Sequence, residues 1–219
     1  MTEMGLVARA ATGSMGELLP RLVLTDGSAA HPHCRRLLGP PSSLRDLSDV
    51  VHALCAVHGD HPGVADEVLS RSADSPAADW LAEVAQAMTQ ERGYLAQLVA
   101  AAGPLPSTPG QDVSEAALIA QRHALAMLAR SERGGCALGA VAALVLDWTS
   151  IRRLLDVAAD RFAVGVAPRR LPDVEETLHA LALCASPAVD RAVAFGAQQL
   201  LAQHRGLWDL MEARAGART

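Results

Sequence analysis

Apolar positions recur with a helical period along most of the chain. After Ser42 and Ser43, either of which can cap a helix, Leu47, Val50, Val51, Leu54 and Val57 fall at three- and four-residue spacing. This predicts a helix from Leu44 that stops at Gly59. Pro62 opens a short helix to about Arg71, since proline is tolerated in a first turn. Ser75-Pro76 starts a long helix to Ala102 with a stripe of Leu81, Val84, Met88, Leu95, Leu98 and Val99. After the loop Leu105–Gly110, Ser114 caps a helix to about Arg133, which Gly134-Gly135 break or kink. The most apolar helix follows, from Cys136 to about Val164. A basic loop, Gly165–Pro172, leads to a shorter helix over Asp173–Cys184, and Ser186-Pro187 starts a last one to about Ala213.

Residues 1–42 read differently. Gly5, Gly13, Gly16, Gly27 and Gly39, with Pro20, Pro32, Pro40 and Pro41, interrupt every apolar stretch, and only Gly16–Leu24 has room for a short element. The pattern predicts an irregular N-terminal arm over 1–42, draped on a helical domain over 43–215. No segment alternates with period two among β-branched residues, so no sheet is expected. Long helices joined by short breaks fold back on their neighbours, and the expected fold is an all-α antiparallel bundle.

Composition narrows the chemistry. The 219 residues suffice for one domain with a real core. Alanine and leucine make up roughly a third of them, and the chain contains no lysine and no asparagine. Without lysine there is no P-loop lysine, no Schiff-base lysine and no kinase-type lysine. A net charge of −5 and few aromatic residues give no footprint for nucleic acid. The start of the chain lacks a secretory pattern, and the longest apolar run, Cys136–Leu146, is about half of the ~20 residues a membrane span needs. Cys34, Cys55, Cys136 and Cys184 form no C-x-x-C pair, so the expectation is reduced thiols in a cytoplasmic protein.

The informative positions are polar residues standing in apolar stripes, because burial of an unpaired charge is costly. Glu91 lies on the line Trp80, Val84, Ala87, Glu91, Tyr94, Leu98. His123 lies with Ile119, Ala126 and Met127, beside Arg122 on the adjoining line with Leu118 and Leu125. Asp147 lies with Ala140, Leu144, Ile151 and Leu154, and His204 with Val193, Ala197, Leu200, Leu207 and Met211. In a bundle, Glu91, Arg122, His123, Asp147 and His204 should approach one another in the interior. An internal ion-pair network, with Glu91 or Asp147 against Arg92, Arg122 or Arg152, is the simpler reading. A metal or small-ligand pocket, or acid–base catalysis, is the sharper one.

Other signals are weaker. His31, His33, His52, His58 and His61 cluster near Cys34, Cys55 and Asp60, but their spacing matches no usual zinc module, and surface or capping histidines are expected. Gly134-Gly135 and Gly139 follow no strand, so they do not form a nucleotide loop. Ser14, Ser107 and Ser131 lack an elbow motif. Arg152-Arg153 and Arg169-Arg170 are small basic spots.

Residues 43–213 resemble all-helical bacterial proteins described as domains of unknown function, most visibly around ERGYL (Glu91–Leu95) and VLDW (Val145–Trp148). The architecture also loosely resembles the ferritin-like class. That class takes a glutamate from each of two helices and Glu-x-x-His from each of two others. Here one Glu-x-x-His exists, Glu176–His179, in a short helix, so no residue role carries over. The leading expectation is a non-enzymatic helical protein that forms a homo-oligomer or binds a protein partner, with no cofactor, nucleic acid or membrane. The alternative is a divergent ferritin-like protein holding a metal ion or small ligand at the mid-bundle cluster.

Overall fold

A computed structural model describes the backbone of residues 3–218 and the side chains of residues 15–218. Among the described residues there are nine α-helices, a short 3-10 turn at Ser28–Ala30, and no strand. The helices are α1 (Glu3–Asp26), α2 (Pro32–Leu38), α3 (Leu44–His58), α4 (Val64–Ser70) and α5 (Ala78–Ala102). They continue with α6 (Gln111–Ala129), α7 (Cys136–Arg161), α8 (Val174–Leu183) and α9 (Pro187–Gly216). The fold is all-α, and no described helix is long and apolar enough to cross a membrane.

The helix α7 is the axis of the molecule. Every residue from Leu138 to Trp148 is buried, as befits a helix that is apolar on all sides. It touches each of the other eight helices, and α9 most extensively. Two glycines make that crossing close. A Cβ on Gly139 would run into the Val193 backbone, and one on Gly196 into the Cys136 carbonyl. The backbones of α7 and α9 therefore pack without side chains between them.

Local chemistry sets most helix ends. Ser43, Asp173 and Ser186 accept N–H bonds as N-caps of α3, α8 and α9. The Asp173 cap is a capping box in which Glu176 bonds back to the Asp173 N–H, so the carboxylate of the lone Glu-x-x-His is committed to a helix end. One cap differs from the expectation. The helix α6 begins at Gln111 after Gly110 in left-handed conformation, and the Ser114 hydroxyl sits inside it, donating to the Gly110 carbonyl.

The larger correction concerns residues 1–42. Residues 1 and 2 lie outside the described residues; the rest is not irregular, because α1 runs helically through Gly13, Gly16 and Pro20. Tertiary burial overrides the poor local propensity. Met15 and Leu19 are buried, and with Cys34 and Leu37 they belong to the same apolar core as the later helices.

Candidate functional site

Three of the five interior candidates are buried, and they form two tiers about α7. In the first, Asp147 is fully enclosed and accepts three hydrogen bonds. The Ser28 N–H and hydroxyl donate at 2.7 and 2.6 Å, and His204 Nδ1–H donates at 2.6 Å. Ser28 is 119 residues away in sequence, so this carboxylate fastens the turn after α1 to the centre of the fold. Serine, aspartate and histidine are the residue types of a hydrolytic triad, but the connections differ. The hydroxyl is bonded to the aspartate and not to the imidazole, so the order of contacts is not that of a triad. Cys34 lies close by; burial and then the Asp147 charge push its thiol up to about 12, which keeps it protonated and inert.

In the second tier Glu91 accepts from Arg152 Nη1 at 2.7 Å and from Trp148 Nε1 at 3.0 Å. Arg152 Nε donates to Asp156 at 2.8 Å, its Nη2 reaches the Ala167 carbonyl, and its guanidinium lies 4.3 Å from the centre of the Tyr94 ring. Tyr94 in turn donates to Asp156 at 3.0 Å. Burial opposes the Arg152 charge, but the bonds and charges of Asp156 and Glu91 outweigh it and hold its pKa above the usual value. His58 joins the tiers by ring contact, edge-on to both Trp148 and His204 at 5.1 Å. Both interior carboxylates are thus hydrogen-bonded, Glu91 to Arg152 as one of the pairings the simpler reading allowed, while the buried Nε2 atoms of His58 and His204 have no protein partner.

Arg122 and His123 are not part of it. Both are exposed on α6, and Arg122 pairs with Asp60. The buried line of α6 is Ser114, Gln121, Leu125 and Ala129. The physical reason is alanine: with Ala116, Ala117, Ala120, Ala124 and Ala126 spread around the helix, its apolar period does not say which side faces inward. The turn leaves Val113, Ile119 and Met127 in solvent, at 68, 60 and 57 % exposure. Beside this face a cleft of about 400 Å³ separates α6 from the segment 60–64. The Arg122–Asp60 and Arg130–Glu67 pairs stand at its rim, and Asp147, Glu91 and His204 do not line it.

A second buried centre has no counterpart in the sequence reading. Asp49 in α3 receives Arg214 Nε and Nη2 at 2.8 to 3.0 Å and Arg218 Nη1 at 2.6 Å, while Arg218 also holds Asp46. Each arginine is 165 or more residues from the aspartate it meets, and no spacing signals such a pair. The histidines of the first third disperse. His31 caps α2, accepting from the His33 N–H, and meets Asp209; His52 meets the Gly103 carbonyl; His61 lies near Asp66. His31, though buried, fills one of the two expected roles, capping, whereas His33 and His58 are buried against the expected surface positions. Among the described residues, no three His, Cys, Asp or Glu side chains are grouped to hold a metal ion.

Two of these histidines make stability depend on pH. Burial, with a smaller contribution from His204, holds His58 well below its ordinary 6.5; burial and then Arg36 lower His33. The unfolded chain therefore binds more protons below about pH 6.5, and stability falls with pH there while staying level above it. Each group contributes at most about 1.4 kcal/mol per pH unit. Thermal melts from pH 7.5 to 5.5 should show a falling Tm, flattened in His58→Phe; a level Tm in the wild type would contradict the burial of neutral imidazoles.

No curated protein and no solved structure matches the chain. The sequence of residues 23–219 matches a family of unknown function, DUF6975. The chain belongs to that family.

Proposed function

We propose that the protein is a non-enzymatic, self-associating helical protein whose contact surface is the outer side of α6. One observation carries this reading: a solvent-facing helix side built from Val113, Ala116, Ala117, Ala120, Ala124 and Met127, where charged residues are the norm. The charges flanking it favour a second copy as the occupant. Asp112 stands beside this face at the start of α6, and Arg130 beside it at the end. An antiparallel pair of α6 helices related by a two-fold axis at Ala120 places Val113 beside the partner's Met127 and the acidic end beside the basic one. The helix dipoles oppose favourably in the same arrangement. Arg130 already holds Glu67, but it is about half exposed and has further guanidinium N–H groups to face a second carboxylate. Alanines at the crossing permit close approach.

A contact of one helix per protomer is small for a specific interface, so the dimer should dissociate on dilution. Sedimentation equilibrium should show a monomer–dimer equilibrium, and Ala120→Glu should shift it to monomer. Because Ala120 is exposed, the variant should keep its stability within about 0.5 kcal/mol. A wild type that stays monomeric at every concentration, or an Ala120→Glu variant that dimerises unchanged, would refute the proposal. The first result would turn the α6 face toward a different protein.

The short connections between the long helices support the antiparallel bundle, and the four free cysteines fit a reducing, cytoplasmic setting. The ferritin-like metal reading has less support. Asp147 and Glu91 already accept hydrogen bonds from protein donors, and the Glu176 carboxylate serves a cap.

A further inference from the structure

A solvent-open pocket of about 330 Å³ lies where the end of α4, the start of α5 and the α6–α7 connection meet. That volume is at the lower end of the range for small organic ligands. Val68, Leu81 and Leu138 give its lining an apolar part. The polar part carries two arginines, Arg71 and Arg133, against one carboxylate, Glu132, in a chain whose net charge is −5. Among the described residues neither arginine has a carboxylate within ion-pair distance. In the cleft beside α6, which shares Ala129 with this pocket, Arg122 and Arg130 each hold one. The Arg133 guanidinium lies over the Phe195 ring, 5.4 Å from its centre. Such a stack engages the guanidinium face and leaves its N–H edge for an acceptor. The first turn of α7, which has no side-chain cap, adds the positive end of its dipole through Ala137 and Leu138.

We propose that this pocket binds a small organic phosphate monoester, held at its phosphate by Arg71 and Arg133. The charges select the class. Two guanidinium groups and a helix dipole end, less Glu132, come to about +1.5, which a phosphate monoester at about −1.5 to −2 balances and a neutral ligand leaves unpaired. Guanidinium N–H groups match phosphate oxygens in geometry as well as in charge. The organic part of the ligand lies against Val68, Leu81 and Leu138, which a bare phosphate would leave uncovered.

Calorimetric titration of the full chain with phenyl phosphate tests the site, with inorganic phosphate and phenol as its two halves. Phenyl phosphate should bind more tightly than inorganic phosphate, and phenol should not bind. Arg71→Gln and Arg133→Gln should each weaken phenyl phosphate binding about tenfold or more, as expected for loss of a charge-assisted contact. Both side chains are exposed, so without ligand the variants should melt within about 2 °C of the wild type. No binding of phenyl phosphate, equal binding of phenol, or unchanged affinity in both variants would overturn the proposal. Inorganic phosphate binding as tightly as phenyl phosphate would give the site to the free ion and overturn the monoester. None of these outcomes bears on the α6 interface, whose test is the oligomeric state.

Discussion

Trp148→Ala should destabilise the fold by about 3–5 kcal/mol, the range for a large aromatic removed from a packed core. Trp148 is 0 % exposed at the centre of α7 and meets the His58 ring on one side. Its indole N–H also donates to Glu91, so truncation opens a cavity and leaves that buried carboxylate with Arg152 alone. Urea unfolding measures the loss, and Trp148→Phe separates its parts. The phenyl ring keeps most of the volume but not the N–H, and should cost about 1–3 kcal/mol for the unsatisfied acceptor. A loss below about 1 kcal/mol for Trp148→Ala would mean that the centre of α7 is not a packed core.

Asp49→Ala should cost a similar amount, about 3–5 kcal/mol, because removing one partner of a buried ion pair strands the other. Arg214 is buried, and Asp49 is the carboxylate that holds it, through both Nε and Nη2. Gln111 and Thr108 remain near Arg214 in the variant, but neither carries charge. Arg218 keeps Asp46 and should suffer less. Since this centre ties the last turns of α9 to α3, hydrogen exchange at the end of α9 should accelerate more than in α7. Equal protection in variant and wild type would show that the pair does not fasten the helix.

The parts of the fold legible in the sequence are those whose burial leaves a one-sided pattern or a cap. The helices α3, α5, α7, α8 and α9 follow their apolar stripes and the caps at Ser43, Asp173 and Ser186. The α1 helix was hidden because glycine and proline report local preference, whereas the burial of Met15 and Leu19 is decided by α9, α8 and α7. In α6 the alanines equalise the faces, so Arg122 and His123 looked inward when Gln121 and Leu125 are the buried residues. Glu91, Asp147 and His204 were legible as polar breaks in otherwise apolar lines. Their partners were less so: Arg152 was one of several arginines within reach, and Ser28 and Arg214 sit beside carboxylates more than a hundred residues away.

Cysteine cross-linking along α6 tests the account's central claim, an antiparallel self-association about Ala120. On the axis a residue faces its own copy, so Ala120→Cys should form a covalent dimer on mild oxidation. Val113 is seven residues from the axis, which sets the two copies of position 113 about 21 Å apart. Val113→Cys alone should therefore stay monomeric, and Val113→Cys combined with Met127→Cys should cross-link. The wild type, with Cys34 and Cys136 buried and Cys55 and Cys184 half-buried, is the background control. Cross-linking at position 120 and at the paired positions 113 and 127, but not at 113 alone, is the predicted result. Failure at 120, or equal cross-linking at 113 and 120, would contradict it.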